Sequence, residues 1–151
     1  MRISTIAKWI GALACAAALA GCGGDKKENQ PGTPVSEAAI AGTISLDAAV
    51  KDKAGKTPLL MIIASSSSDP KQPAVIVKRV AEASFPYSYK LTAEDITLVG
   101  TNFAGKMYVS ARIDPAGMVG PPQPGALEGV YAKNPVPVGS ANIDIVINKA
   151  Y

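Results

Sequence analysis

The chain has 151 residues, 48% of them hydrophobic, and a formal net charge of +3, which fits one globular domain with a short extension. Histidine is absent, so the Ser-His-Asp and Cys-His arrangements of nucleophilic catalysis are excluded, together with haem ligation by histidine. The small charge also disfavours a nucleic-acid partner, which would require a clustered basic face. We therefore expect a protein that binds or supports others, without a catalytic site, cofactor or metal.

The N-terminus has the parts of a bacterial export signal. A short region, Met1–Lys8, carries Arg2 and Lys8 without any acid, and an apolar run follows over 9–20. That run is shorter than the roughly 20 apolar residues that a transmembrane helix needs. The pattern predicts a cleaved signal peptide over residues 1–21. Its removal lowers the net charge from +3 to about +1, since it takes two basic residues with it.

The residues at the cleavage site narrow the class of secreted protein. Leu19-Ala20-Gly21-Cys22 resembles the lipobox of bacterial lipoproteins, in which the cysteine is acylated and becomes the first residue of the mature chain. Cys15 leaves with the signal, so Cys22 is the predicted lipidation site and no disulfide is expected. Two or more acyl chains would hold the protein firmly on membrane lipid. An ordinary signal peptide with a nearby cysteine is the alternative.

This reading places the protein in the bacterial cell envelope, facing the periplasm. Gly23 follows the cysteine, which favours the outer membrane slightly over the inner one. Residues 22–36 are polar and rich in glycine, proline and charge, and we interpret them as a flexible tether. The remaining residues, 37–151, form the predicted folded domain.

Apolar and alternating stretches in this domain predict six to eight short strands, at 40–46, 59–64, 75–80, 85–91, 106–113, 127–130 and 142–148. Proline, glycine and capping residues predict turns or loops between them, at 47–56, 65–73, 92–95, 114–117 and 120–125. No long helix is expected. The predicted fold is all-β, an antiparallel Ig-like β-sandwich with Greek-key connections, and a small barrel is the alternative.

Three strands carry more specific expectations. Leu59–Ala64 is continuously apolar, which suits a central strand covered on both faces. In Lys106–Ile113 the apolar residues alternate with Tyr108, Ser110 and Arg112, so these three should lie on the opposite face. Leu127–Val130 is predicted as a short edge strand.

Several sequence blocks occur along this domain in order: Gly42–Asp47, Pro73–Val80, Phe85–Thr92, Ala111-Arg112-Ile113 and, after a turn, Pro122–Gly129. In order and spacing they resemble the periplasmic, Ig-like C-terminal domain of the CycH-type cytochrome c biogenesis protein, over nearly all of Ile40–Asn148. The resemblance implies an Ig-like fold and a part in cytochrome c maturation. Such proteins handle unfolded apocytochrome c through a helical repeat region between membrane helices and the Ig-like domain. This sequence has no such repeats and carries a lipobox instead.

The candidate partner-binding residues are Arg112, Pro122, Gln123, Pro124 and Gly125. Arg112 lies on the polar face of its strand, where a cross-strand ion pair with a nearby acid is the structural alternative. The proline-rich loop is either a rigid crossing between strands or a segment that presents itself to a ligand.

These observations are compatible with two functions. The first is a non-enzymatic accessory lipoprotein of cytochrome c maturation that binds an apocytochrome segment or an assembly partner through a sheet edge or the proline loop. The second is a general structural or adhesive envelope lipoprotein that has borrowed the domain. A catalytic pairing of Ser65–Ser68 with Lys78 or Lys106 is the enzymatic alternative, and we expect no catalytic residue.

Overall fold

The structure, a computed structural model, describes residues 38–151. The predicted signal peptide (1–21), Cys22 and the tether (22–36) lie outside the described residues. The described part contains nine strands: β1 Ile40–Leu46, β2 Leu60–Ser65, β3 Ile76–Val80, β4 Tyr87–Leu91, β5 Lys106–Ile113, β6 Leu127–Val130, β7 Val136–Pro137, β8 Ile145–Ile147 and β9 Lys149–Ala150. One helical turn, α1 Ala48–Lys51, and two 3-10 turns, Asp52–Ala54 and Ala93–Asp95, complete it. None of the helices over 38–151 has the length and apolar character to cross a membrane.

The strands form two sheets. The smaller has the order β4-β1-β8, and the larger has the order β3-β2-β5-β6-β9, with β7 paired to the beginning of β5. All pairs are antiparallel except β1 and β8, which run parallel with Ile44 opposite Ile145. This arrangement confirms the predicted all-β, Ig-like sandwich.

Two features of the sheets differ from the sequence prediction. The strands number nine over 38–151 because β7 and β9 have two residues each, too few to show an alternating pattern. β6 is not an edge strand, since β9 pairs with it through Leu127 opposite Ala150. Alternation within β6 could not predict this pairing, because β9 comes from a different part of the sequence.

β2 has both faces covered, as its uninterrupted apolar sequence predicts. Leu60, Ile62 and Ala64 point into the core between the two sheets. Met61 and Ile63 point to the opposite side and pack there with Ala74 and Val77 in a separate apolar cluster. The strand is central in the larger sheet, between β3 and β5.

Local signals outside the strands are also confirmed. Asp47 begins α1 and its side chain accepts a hydrogen bond of 2.9 Å from the Ala49 N–H. Thr92 caps the second 3-10 turn in a reciprocal arrangement with Asp95. Asp114–Gly117 is a hydrogen-bonded turn, in which the Gly117 N–H donates to the Asp114 carbonyl at 3.0 Å.

Glycines allow backbone to approach backbone at two places. A Cβ on Gly129 of β6, in the larger sheet, would overlap the Val146 carbonyl of β8, in the smaller one. A Cβ on Gly42 of β1 would overlap the Ile143 carbonyl. That carbonyl accepts a hydrogen bond of 2.8 Å from the Tyr89 hydroxyl. Burial, helped by the negative charge of Asp144, raises the pKa of the Tyr89 phenol well above its ordinary value.

Candidate functional site

The outer face of the larger sheet, opposite the core, carries polar and apolar side chains in three transverse rows that the strand register defines. The first row contains Arg79, Met61, Arg112, Glu128 and Lys149. The second contains Val77, Ile63, Ser110 and Val130, and the third contains Ser65 and Tyr108. The outward direction of Arg112, Ser110 and Tyr108 on β5 agrees with the predicted alternation.

Arg112, in the middle of the first row, is covered by the loop between β5 and β6, residues 114–126, which folds back over the sheet. One terminal nitrogen of Arg112 donates to the Gly120 carbonyl at 2.6 Å, and the other donates to Glu128 Oε1 at 2.6 Å. The side chains of Arg112 and Glu128 are 4% and 12% exposed. Arg112 therefore forms the cross-strand ion pair that was its structural alternative, and the same guanidinium holds the loop on the sheet.

The C-terminal residues extend this network. Glu128 Oε2 accepts a hydrogen bond of 2.7 Å from the Tyr151 hydroxyl, which in turn accepts one of 2.9 Å from Lys149. The hydrogen bond to Tyr151 raises the pKa of the exposed Lys149 amine. The Gly125 N–H donates to the Tyr151 carbonyl at 2.8 Å, so the far end of the loop is tied to the C-terminal residue.

Beyond the first row, a groove with a volume of about 440 Å³ lies open on the second and third rows. We call it the outer groove. Its floor contains Ile63, Ser65, Tyr108, Ser110 and Val130. One wall is the loop between β2 and β3, from Ser67 to Ala74, and the other is the stretch 119–122 of the β5–β6 loop.

Nearly all of the folded domain matches a known protein family. Residues 40–148, most of the chain, match the family described as the cytochrome c-type biogenesis protein H Ig-like domain. The chain belongs to this family. Comparison with curated proteins and with solved structures yields no match. Membership supports a role in cytochrome c maturation and an association of this Ig-like domain with the cell envelope.

Two of the blocks that carry the biogenesis-protein resemblance are neighbours in this Ig-like domain. Ala111-Arg112-Ile113 on β5 pairs with the end of Pro122–Gly129 on β6, with Arg112 opposite Glu128. These two blocks therefore contain the ion pair, and Pro122 at the edge of one wall of the outer groove.

The five candidate partner-binding residues fall into two groups. Arg112 and Pro122 line the outer groove. Gln123, Pro124 and Gly125 lie exposed at the tip of the loop and do not line it. This tip is a turn, in which the Ala126 N–H donates to the Gln123 carbonyl at 3.0 Å and Gly125 has a φ of +90°.

Three hydroxyl groups lie together on the floor of the groove, and the sequence did not predict that they meet there. Ser65, Tyr108 and Ser110 are half-buried, and their hydroxyls form no hydrogen bond with any group of residues 38–151. Alternation places each of them on the outer face, but only the two loops, which are distant in sequence, turn that face into a groove.

Asn134 is a further residue of the site that the sequence did not predict. Its Oδ1 accepts from the Val109 N–H at 2.9 Å, and its Nδ2 donates to the Val109 carbonyl at 2.8 Å. The side chain thus takes the place of a strand partner for β5 between β6 and β7, and it lines the outer groove.

Within the described part of the chain, no hydrogen bond joins Ser65–Ser68 to Lys78 or Lys106, the pairing considered for catalysis. Lys78 Nζ contacts Asp95 Oδ1 at 3.0 Å and the Lys90 carbonyl at 3.0 Å. Neither Lys78 nor Lys106 lines the groove that Ser65, Ser67 and Ser68 border. Over residues 38–151 no cluster of three or more acidic or cysteine side chains could hold a metal ion.

Proposed function

We propose that this chain is a lipid-anchored, non-enzymatic accessory of cytochrome c maturation that binds an apocytochrome segment or an assembly partner. One observation carries the proposal: the chain belongs to the cytochrome c-type biogenesis family over residues 40–148, and three residues of its resemblance blocks, Arg112, Pro122 and Glu128, line an open groove on one sheet face.

Arg112 acts in this proposal as a positioning residue for the binding surface. It is buried, and its hydrogen bonds to Gly120 and Glu128 fix one wall of the outer groove. Pro122 contributes to that wall, whereas Gln123, Pro124 and Gly125 form an exposed tip that would meet a larger partner.

The proposed anchor is an acylated Cys22, which would hold the domain on the periplasmic side of a membrane, with the outer membrane slightly favoured. The tether over 22–36 has 15 residues. At about 3.4 Å per extended residue it would reach roughly 50 Å from the lipid. That reach would let the domain contact a partner in the membrane or a chain that emerges from it.

The test is a deletion of the gene in the native bacterium, followed by a haem-stained gel of the membrane fraction. We expect the bands of covalent c-type haem to weaken or disappear, and the wild-type gene to restore them. A gene carrying the exposed substitution Lys133→Met serves as the control and should restore them as well. Undiminished c-type haem in the deletion strain would contradict the maturation role and leave the structural or adhesive envelope lipoprotein.

A further inference from the structure

We infer that the outer groove binds an extended, uncharged segment of an unfolded polypeptide. The inference deepens the proposed function and rests on it, because it names the surface and the chemistry of the segment that the domain would hold. Its basis is the hydrogen-bonding capacity, apolar surface, charge balance and rigidity of the groove.

The hydroxyls on the floor suit a polypeptide backbone. An extended peptide carries one N–H and one C=O per residue, and each hydroxyl can donate and accept. Tyr108 and Ser110 are two residues apart on β5, about 6.7 Å along the strand, which is also the spacing at which an extended ligand presents alternate residues to one side. Ser65 lies directly opposite Tyr108 on β2. All three hydroxyls are without a partner within residues 38–151, so binding would not break an existing hydrogen bond between them and that part of the chain.

Apolar contacts lie beside the hydroxyls. Val130 on the floor and Val119 on the wall are 59% and 44% exposed. Ile63 and Ala74 also line the groove but are already mostly buried. A ligand with small apolar side chains would bury Val130 and Val119 while its backbone meets the hydroxyls.

The charges of the groove are balanced. Arg112 and Glu128 compensate each other at 2.6 Å, and the rim adds one acid, Asp69, and one base, Lys71. A phosphate-bearing ligand or an anionic membrane surface would need an excess of basic groups. An uncharged peptide segment needs none.

Both walls are held by hydrogen bonds before any ligand arrives. The Arg112 bond to Gly120 holds one of them. In the other, the Asp69 N–H donates to the Ser67 hydroxyl at 3.1 Å, and the Lys71 N–H donates to Asp69 Oδ1 at 2.9 Å. A preformed groove reduces the entropy that binding must overcome.

The experiment measures binding of the full-length lipoprotein, purified in detergent, to a fluorescently labelled apocytochrome c, which is the cytochrome c chain without haem. Fluorescence anisotropy gives the dissociation constant, and overlapping ten-residue peptides of the same chain locate the bound segment. We expect binding to uncharged peptides in preference to those with runs of charge. Ser110→Trp, which fills the groove from its floor, should weaken binding about tenfold or more.

A second variant removes the hydroxyls without filling the space: Ser65→Ala, Tyr108→Phe and Ser110→Ala together. Loss of each hydrogen bond should weaken binding about threefold to tenfold, so the triple variant tests the inference even if Ser110→Trp does not fold. Ser88→Trp, at an exposed position of β4 on the other sheet, is the matched control and should bind like the wild type. Circular dichroism and thermal unfolding check the fold of each variant.

Unchanged affinity in folded groove variants would overturn the inference, as would absence of binding between the wild type and the apocytochrome chain. Vesicles of phosphatidylglycerol and phosphatidylethanolamine, tested with the unacylated Cys22→Ser protein, provide a further arm: if Ser110→Trp abolishes vesicle binding of that protein and leaves peptide binding intact, the groove contacts lipid and the inference is wrong. The haem-stained gel is independent of these results. A groove that binds peptides in a protein whose deletion leaves c-type haem intact would retain the inference and reject the maturation role.

Discussion

Arg112 is the residue on which the outer face of the larger sheet depends. Its strand pattern places it on the polar side, where a side chain of this length would ordinarily extend into water. The β5–β6 loop instead covers it, and its two terminal nitrogens bind a loop carbonyl and a carboxylate. A guanidinium is suited to this because it presents several donors in a rigid plane.

We expect Arg112→Met to lower the free energy of unfolding by about 3 kcal/mol, because it leaves the carboxylate of Glu128 in a mostly buried position without its cation. The double variant Arg112→Met with Glu128→Met should recover much of that loss, since no unpaired charge remains. Urea unfolding followed by circular dichroism measures both.

The control for this pair is Lys133→Met, an exposed substitution that should change the free energy of unfolding by no more than about 0.5 kcal/mol. If Arg112→Met has as small an effect as the control, the ion pair does not hold the loop. If the double variant is as unstable as the single one, the loss comes from packing rather than from the unpaired charge.

At the scale of elements, β6 is the strand that joins the parts of the site. It pairs with β5 on one side and with β9 on the other, and its Gly129 lies against the backbone of β8 in the smaller sheet. The loop before it forms a wall of the outer groove. A displacement of β6 would therefore move the groove and the contact between the sheets together.

Gly129→Ala tests this contact. The added methyl group would overlap the Val146 carbonyl. The atoms that it meets belong to the backbone, so no flexible side chain can move aside to make room. We expect the free energy of unfolding to fall by about 1–3 kcal/mol, measured by thermal or urea unfolding. Ser88→Ala, at an exposed strand position, is the control and should stay within about 0.5 kcal/mol of the wild type. A Gly129→Ala protein as stable as that control would mean that the sheets can separate at this point without cost.

At the scale of the whole molecule, the proposed membrane anchor and the proposed binding groove belong to different parts of the chain. The described domain, 38–151, carries the groove and the held loop, whereas the proposed anchor is at Cys22, outside the described residues. Cys22→Ser should abolish metabolic labelling with a radioactive fatty acid and should release the protein from the membrane or leave it as unprocessed precursor.

Cys15→Ser is the matched control for the anchor, because Cys15 lies in the segment predicted to be removed. It should leave labelling and membrane retention unchanged. If Cys22→Ser remains lipid-labelled and bound to the membrane, the lipobox assignment is wrong, and the conclusions on the folded domain stand without it.

Local patterns predicted much of the fold and only part of the site. The alternation in β5 correctly gave the outward direction of Tyr108, Ser110 and Arg112. The apolar run of β2 correctly gave a strand covered on both faces. The burial of Arg112 did not follow from either pattern, because it results from a loop that folds back over the strand.

The sequence by itself determined seven of the nine strands found over 38–151, the capped turns and, through the ordered blocks, the Ig-like family of this protein, because these depend on residues close together in the chain. Tertiary structure alone decided the parallel pairing of β1 with β8, the cover that β9 gives to β6, and the outer groove. The groove unites hydroxyls of β2 and β5 with two loops and Asn134, and these approach one another only when the chain packs. Such contacts between distant segments leave no periodic signal in a single sequence, so the groove could be recognised only in the fold. The anchor, in contrast, is a prediction from a short local motif.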